Sequence, residues 1–552
     1  MRSFVSVRAG LAGCALGGLL LVIGGCSSSG GTASAVADSK PVTGGTLTFA
    51  VDTEPVSWDL HVTTQDITAE IERGVVDSLI SEDSSGTFHP WLATSWSVSP
   101  NLETYTFHLR HGVRFTDGTA FNAEAVKANF DYTVAKTTKS QYASSLLGPY
   151  IGTKVVNAYT VEVEFSKPFA PFLQAASTPY LGFYSPRTLK ENAGQIGEGG
   201  PADVGTGPFI FTSYVRGQEA VFTRNPDYDW GPATADHSGP AYLSKLVVRF
   251  LTDPSVRLGA LTSGQVQIAN AIAPEDVATV RADPDLTLLT REDPGGNYNL
   301  WLNASLAPLN DQRVREAVQR GINIAQDVRT VDFGQYPRAW SPISPTTTDY
   351  DASLANSWAY DPALASRLLD EAGWTGRDAQ GYRTKDGKPL VLQWPLLTVT
   401  ATEQNRNILG QAIQADLKKI GIEVVRPALN VGTYSDKVYA GQENMIDLSW
   451  ARFEPDVLWL FFNSGSAPAD GGINATFMSD PLLNEWTNAG RQTLNPAIRE
   501  RVYDETQSRA IQLATVVPIY TPVSIVGAAA SVRGLAFDPD NWLVFYDAWL
   551  AP

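Results

Sequence analysis

The sequence predicts an α/β protein with more than one sheet, large enough for several domains or for one two-lobed body. Three observations predict it. The chain has 552 residues, and domains average roughly 150. Strand-like alternation and capped helices are interspersed along its length. Apolar residues make up 43% and charged residues 18%, the profile of a folded globular chain, not a disordered, collagenous or coiled-coil one. The strands are read from period-two alternation. GTLTFAV (45–51) comes first, followed by TYTFHLR (104–110), YTVEVEF (159–165), KLVVRFL (245–251) and NYNLWLN (297–303). The helices are read from their starts. Asn122 precedes an alanine-rich run. Asp253-Pro254, Asp361-Pro362 and Asn495-Pro496 each pair a short capping side chain with a proline at the first helical position. Gly373 marks where the helix begun at Asp361-Pro362 stops. In 402–421, Ile408, Leu409, Ala412, Ile413, Leu417 and Ile420 form one apolar face. No internal repeat is present.

The N-terminus reads as an export signal. Arg2 and Arg8 precede an uncharged apolar run at 9–23, too short for a bilayer span of about 20 residues. Ile23-Gly24-Gly25-Cys26 and a Ser/Gly-rich stretch follow. This resembles the bacterial lipoprotein box, in which the signal is cut before a lipid-bearing cysteine. A second candidate, Leu11-Ala12-Gly13-Cys14, has too short an apolar stretch ahead of it, so Cys26 is expected to carry the lipid. Residues 1–25 are then signal and 26–45 lipidated cysteine and flexible tether. With 2 cysteines in all, cleavage before Cys26 leaves only the lipidated one. Intrachain disulfides, thiolate metal sites and a cysteine nucleophile are then ruled out.

The net charge is −17, which repels phosphate backbones and argues against nucleic acid. The chain carries 14 Trp, 20 Tyr and 22 Phe, which serve equally as core or as ligand-cleft walls. Motifs for a nucleophile elbow, a zinc helix or a P-loop are absent. His108 and His111, the only close pair among the 5 histidines, fall on opposite faces of a strand and read as ordinary residues. Pairs such as Glu454 and Asp456 arise by chance among 58 acids. A secreted hydrolase would need a nucleophile with an oriented base, and no pattern supplies one. A lipoprotein chaperone or adhesion module is the other class open at this point.

Several segments together resemble the extracytoplasmic solute-binding proteins of peptide/nickel-type ABC importers, bacterial solute-binding protein family 5. They are HPWLATSW…YTFHLRHGVRFTDG (89–118), GTGPFIF…RNPDY (205–228), PLNDQRVREA (308–317) and YDPALASRLLDEAGW (360–374). Their order and spacing fit nearly the whole chain after the tether. Each has a local structural role as well: Phe115-Thr116-Asp117-Gly118 is a turn, and Gly205-Thr206-Gly207-Pro208 suits a tight chain crossing. The resemblance implies a two-lobed periplasmic-binding-protein-like α/β fold, class II and cluster C type, with an extra domain inserted in the first lobe. By analogy lobe I comprises 44–71, 206–291 and 525–552, the inserted domain 72–205, and lobe II 292–524. Crossings are expected near 291–299 and 516–524, where Gly295-Gly296, Pro518 and Pro522 tolerate a changing backbone. The implied function is capture of a small solute, an oligopeptide or peptide-like molecule, or a metal chelate or other anionic solute, for a membrane permease and its ATPase. A monomer anchored to the outer face of the cell membrane is expected, with no cofactor and no metal.

The ligand question turns on MIDLSWARFEPDVLWLFFNSG (445–465). The resemblance implies that this stretch lines the cleft and that peptide binders carry there an Asp gripping the peptide ammonium. Between Trp450 and Glu454-Pro455 stand only Ala451, Arg452 and Phe453. Arg452 offers a guanidinium suited to an oxyanion; the alternatives are a solvated surface residue or a partner of Glu454. Further cleft candidates are Glu54 and Trp58 after the first strand, Tyr298 and Trp301 on the hinge strand, and Trp340, Trp394 and Tyr434.

Overall fold

The computed structural model describes residues 40–397, 403–468 and 472–552. The signal, Cys26 and the tether up to residue 39 lie outside the described residues. The alternating segments are strands and the capped segments helices. Asn122, Asp253, Asp361 and Asn495 accept from the backbone N–H groups of Ala125, Val256, Leu364 and Ile498 at 3.1, 2.9, 2.8 and 3.2 Å. They open the helices Ala123–Val134, Pro254–Thr262, Pro362–Glu371 and Pro496–Gln512.

Three sheets organise the body. The first has seven strands in the order Leu286–Glu292, Val523–Ala529, Ile268–Ala269, Thr46–Val51, Lys245–Phe250, Glu219–Arg224, Phe209–Val215. Its central strand Thr46–Val51 runs parallel to both neighbours, Thr46 facing Lys245 and Phe49 facing Ile268. The second sheet is antiparallel, with Ala93–Val98, Thr104–Leu109, Thr160–Phe165 and Tyr150–Asn157 side by side. Tyr105, Phe107, Val161 and Val163 turn inward, and the Tyr105 hydroxyl donates to the Phe169 carbonyl at 2.7 Å. The turn before its helix uses Gly118 at φ +83°. Gly205 and Gly207 let their strand pass over Val75: a Cβ on either would lie 2.1 or 2.6 Å from the Val75 carbonyl oxygen.

The third sheet sets Gly295–Leu302 between Met445–Ala451 and Val516–Tyr520. All eight residues of the central strand are buried. The alternation read at 297–303 therefore does not separate a wet face from a dry one, because this strand is covered on both faces. Ile408 also departs from expectation, lying 46% exposed beside the buried stripe of Leu409, Ile413, Leu417 and Ile420. Helix Glu403–Lys419 buries a narrower face than its apolar residues suggest.

The chain passes between the first and third sheets twice, after Glu292 and after Tyr520. Asp293 ties both passages together. Its N–H donates to the Pro522 carbonyl at 2.9 Å, and its carboxylate accepts from Ser524 Oγ at 2.7 Å and Asn541 Nδ2 at 2.6 Å. Gly295, at φ +89°, does more than tolerate a bend. A Cβ there would stand 2.3 Å from the Arg452 nitrogen, and one on Gly296 would stand 2.6 Å from the Phe461 ring. One large core surrounds the first two sheets and another the third, and Trp450 packs against both.

The interior is rich in buried acids, and among Glu70, Glu72, Asp77, Asp203, Asp332 and Asp456 only Asp456 has a described cation within ion-pair distance, Arg491 at 3.1 Å. Glu72 and Asp203 are fully buried against each other, and burial, with the facing carboxylate, holds Glu72 well above the usual range. Burial also raises Glu70 to about 8, Asp332 and Asp456 to about 7 and Asp77 to about 6. An unfolded chain releases these protons near pH 4, whereas the native protein keeps them. Stability is therefore full below the unfolded values and falls as pH rises through the native ones. Melting temperature is expected to be higher at pH 5 than at pH 8, with a smaller drop in Glu72→Gln. A flat or rising profile measured by differential scanning calorimetry contradicts this.

Candidate ligand-binding cleft

The strand Met445–Ala451 and its continuation run along the seam between the two cores. Trp450 packs against Tyr142 with ring centroids 4.7 Å apart and planes tilted by 55°. Arg452 is 5% exposed, and its guanidinium carbon sits 4.1 Å from the Trp450 ring centroid and 4.3 Å from that of Tyr142. Its Nη1 donates to Asp66 on the helix Asp66–Glu72 at 2.7 Å, and its backbone N–H to the Pro294 carbonyl at 3.1 Å. The solvated-surface reading of Arg452 and its pairing with Glu454 are both overturned. Glu454 pairs instead with Arg499. Arg452 Nε and Nη2 have no hydrogen-bond partner among the described residues. Phe453 reaches across the seam as well, its N–H donating to Asp540 at 2.8 Å.

Behind this seam lies a cavity of about 240 Å³, walled by Tyr336, Arg406, Ser449 and Tyr520 on one side and by Glu70, Asn270, Asp293 and Trp542 on the other. Arg406 sits in the first turn of helix Glu403–Lys419. It lies over the Tyr298 ring at 4.6 Å, donates from Nη2 to Ser449 Oγ at 2.7 Å and from Nε to the Tyr520 hydroxyl at 3.2 Å. Tyr520 stacks between Tyr298 and Tyr336, at centroid distances of 4.7 and 4.9 Å. Among the described residues no carboxylate lies within ion-pair distance of Arg406. A larger, open cavity of about 750 Å³ adjoins it, with Val523, Ile525 and Asn541 common to both and Phe453 in its wall.

The expected residues divide. Trp450, Arg452 and Phe453 come together at the seam, and Tyr298 supports Arg406 from beneath. Trp58 is core, edge-on to Phe211 and Tyr214 at 4.8 and 5.3 Å. Trp301 is core too, against Phe461 at 4.8 Å. Glu54 points away from the cleft, because its carboxylate holds the hairpin at Tyr214 and Gly217, each at 2.6 Å. Trp394 is buried with its indole N–H on Asp447 at 2.7 Å, and Trp340 stacks on Arg338 at 4.1 Å. Tyr434 is half-buried on helix Val431–Tyr439. None of Trp340, Trp394 and Tyr434 lines the two cavities. Sequence reasoning missed Arg406, although a signal existed. It lies one turn before Leu409 on the apolar stripe of its helix, where a cation belongs only if something faces it.

Residues 87–471 match the model of the bacterial extracellular solute-binding proteins, family 5 Middle, and the chain belongs to this family. The di/tripeptide-binding protein 2 of Pseudomonas aeruginosa is 30% identical over 479 residues, spanning 82% of this chain and 85% of that protein. The nickel-binding periplasmic protein of Escherichia coli is 26% identical over 464 residues, spanning 82% and 84%. Among solved structures, the ABC transporter-associated periplasmic binding protein DppA of Helicobacter pylori, in complex with the peptide STSA, aligns with TM-score 0.79 at 24% identity. That alignment spans 93% of this chain and 99% of that one. The fold is thus the two-lobed α/β fold of these binding proteins, with the cleft between the lobes. Family members are substrate-binding transport proteins, acting with the permease and ATPase of an ABC transporter.

Proposed function

We propose that this chain is the receptor of an ABC importer for a small peptide-like solute bearing a carboxylate, held between the lobes without chemical change. The observation that carries this reading is Arg406, a charged guanidinium on the cavity wall whose described contacts are hydroxyls and an aromatic face. A hydroxyl can give way to a carboxylate, and charge-assisted hydrogen bonds to a guanidinium are the stronger kind. Arg452 plays another part, since Asp66 already neutralises it. It joins the lobes rather than gripping the ligand. The relatives named for di/tripeptides and nickel support a small solute, and a metal chelate held by carboxylates would meet the same guanidinium. Export and lipidation at Cys26 would place a monomeric receptor on the outer face of the membrane. Among the described residues no helix is long and apolar enough to cross a membrane.

Titration calorimetry with a panel of di- and tripeptides and their C-terminal amides tests the site. Arg406→Ala is expected to weaken binding of the free acids by about 2 kcal/mol, roughly 30-fold, and to leave the amides little changed. Arg452→Ala is expected to weaken acids and amides alike, because it loosens the closed form. Equal affinities for acids in wild type and Arg406→Ala overturn the reading. For the anchor, Cys26→Ser is expected to leave an uncleaved precursor without lipid and Cys14→Ser to change little. A mature N-terminus at residue 14, found by mass spectrometry, contradicts it.

A further inference from the structure

A second enclosed space of about 280 Å³ lies next to the cleft, and Glu70, Phe537 and Leu543 line both. Six carboxylates border it; Asp83 and Asp547 are engaged by His89 and His237 at 2.7 and 2.6 Å, and the other four are Glu70, Glu82, Asp538 and Asp540. They come from the first helix, the strand Ile80–Glu82 and the C-terminal stretch, so the fold gathers them from segments remote in sequence. Asp540 is 5% exposed. Its Oδ1 accepts the Phe453 N–H at 2.8 Å, and its other oxygen has no hydrogen bond among the described residues. Two buried wall residues are unsatisfied as well: the Ser81 hydroxyl and the Trp91 indole N–H have no partner there. Arg73 and Arg291 also line the space, yet among the described residues neither comes within ion-pair distance of the four acids. Arg73 is engaged by Ser78 Oγ at 2.8 Å and the Ser177 carbonyl at 2.7 Å. Burial makes a carboxylate's charge costly and raises its pKa. Burial lifts Asp538 to about 7 and Asp540 to about 6; a neighbouring acid raises each further, while Arg73, and Arg452 for Asp540, pull them down.

Among the described residues no three ligating side chains converge as a metal site. The acids are spread around an enclosure whose other walls include Phe209, Tyr228 and Phe545. That arrangement suits an aliphatic or flat arm ending in a delocalised or rotating cation. We propose that this space receives the guanidinium or ammonium of the solute's side chain, so that the ligand is a carboxylate-bearing solute of the arginine or lysine kind. The proposal rests on the cleft reading given above, with the carboxylate at Arg406 and the cationic arm beyond Glu70.

Calorimetry with matched dipeptides tests it: Ala-Arg against Ala-citrulline, and Ala-Lys against Ala-norleucine. Each pair shares the carboxylate and differs in the charge of the arm. The cationic member is expected to bind at least about tenfold tighter, one decade of affinity. The ratio should fall below about threefold in Glu82→Gln and in Asp538→Asn. Asp538 caps the Trp542 N–H, so Glu82→Gln keeps the test interpretable if Asp538→Asn folds poorly. Equal binding within both pairs, or a ratio unchanged in both variants, overturns the cavity proposal and leaves the cleft reading standing. If no member of either pair binds, the cleft reading fails and the cavity proposal with it.

Discussion

The two passages of the chain between sheets are held by one side chain, and the rest of the cleft depends on them. Asp293 joins the outgoing strand to Pro522 and Ser524 of the returning strand and to Asn541 of the C-terminal stretch. Burial raises its pKa, while Ser524 and Asn541 stabilise the ionised form. It also lines the cavity under Arg406. One residue further on, the Pro294 carbonyl takes the Arg452 N–H, and Gly295 leaves room for the Trp450–Arg452 backbone. The crossings, the seam strand and the cavity wall are thus one connected unit. Any motion of one lobe against the other would have to pass through these few hydrogen-bonded residues.

The seam itself is polar where cores are usually apolar. Arg452 meets Asp66 across 386 residues of sequence, between flanking rings of Tyr142 and Trp450. A buried pair of this kind adds little net stability, but it fixes which surfaces meet. The acids behind it form the complement of Arg406: a guanidinium with no described carboxylate in ion-pair distance on one side, and Glu70, Glu82, Asp538 and Asp540, none of them ion-paired among the described residues, on the other. A solute carrying both charges would neutralise both walls at once, which an apolar solute of equal size could not do.

Much of the fold was legible from sequence, because caps and alternation are local. Asn122, Asp253, Asp361 and Asn495 cap their helices, and five alternating segments are strands. The motif at 445–465 singled out Trp450, which packs against both cores. What could not be read is whatever depends on spatial neighbours. Trp58 and Trp301 look in sequence just like Trp450, and only packing sorts a residue of one core from one that bridges two. Glu54 was misread because its partners, Tyr214 and Gly217, lie on a hairpin far along the chain. Asp66, Ser449 and Tyr520 acquire meaning only when the strand and helix ends meet. Arg406 alone left a local trace, a cation on an apolar stripe.

The central claim is that the solute is held between two lobes that close on it. A ligand closes a cleft only by binding the closed form more tightly than the open one. Small-angle X-ray scattering, with and without a saturating carboxylate-bearing dipeptide whose binding is established by calorimetry, measures this most directly. The account predicts a smaller radius of gyration in the bound state, with the molecular mass of a monomer in both. Superimposable profiles at saturation would contradict it.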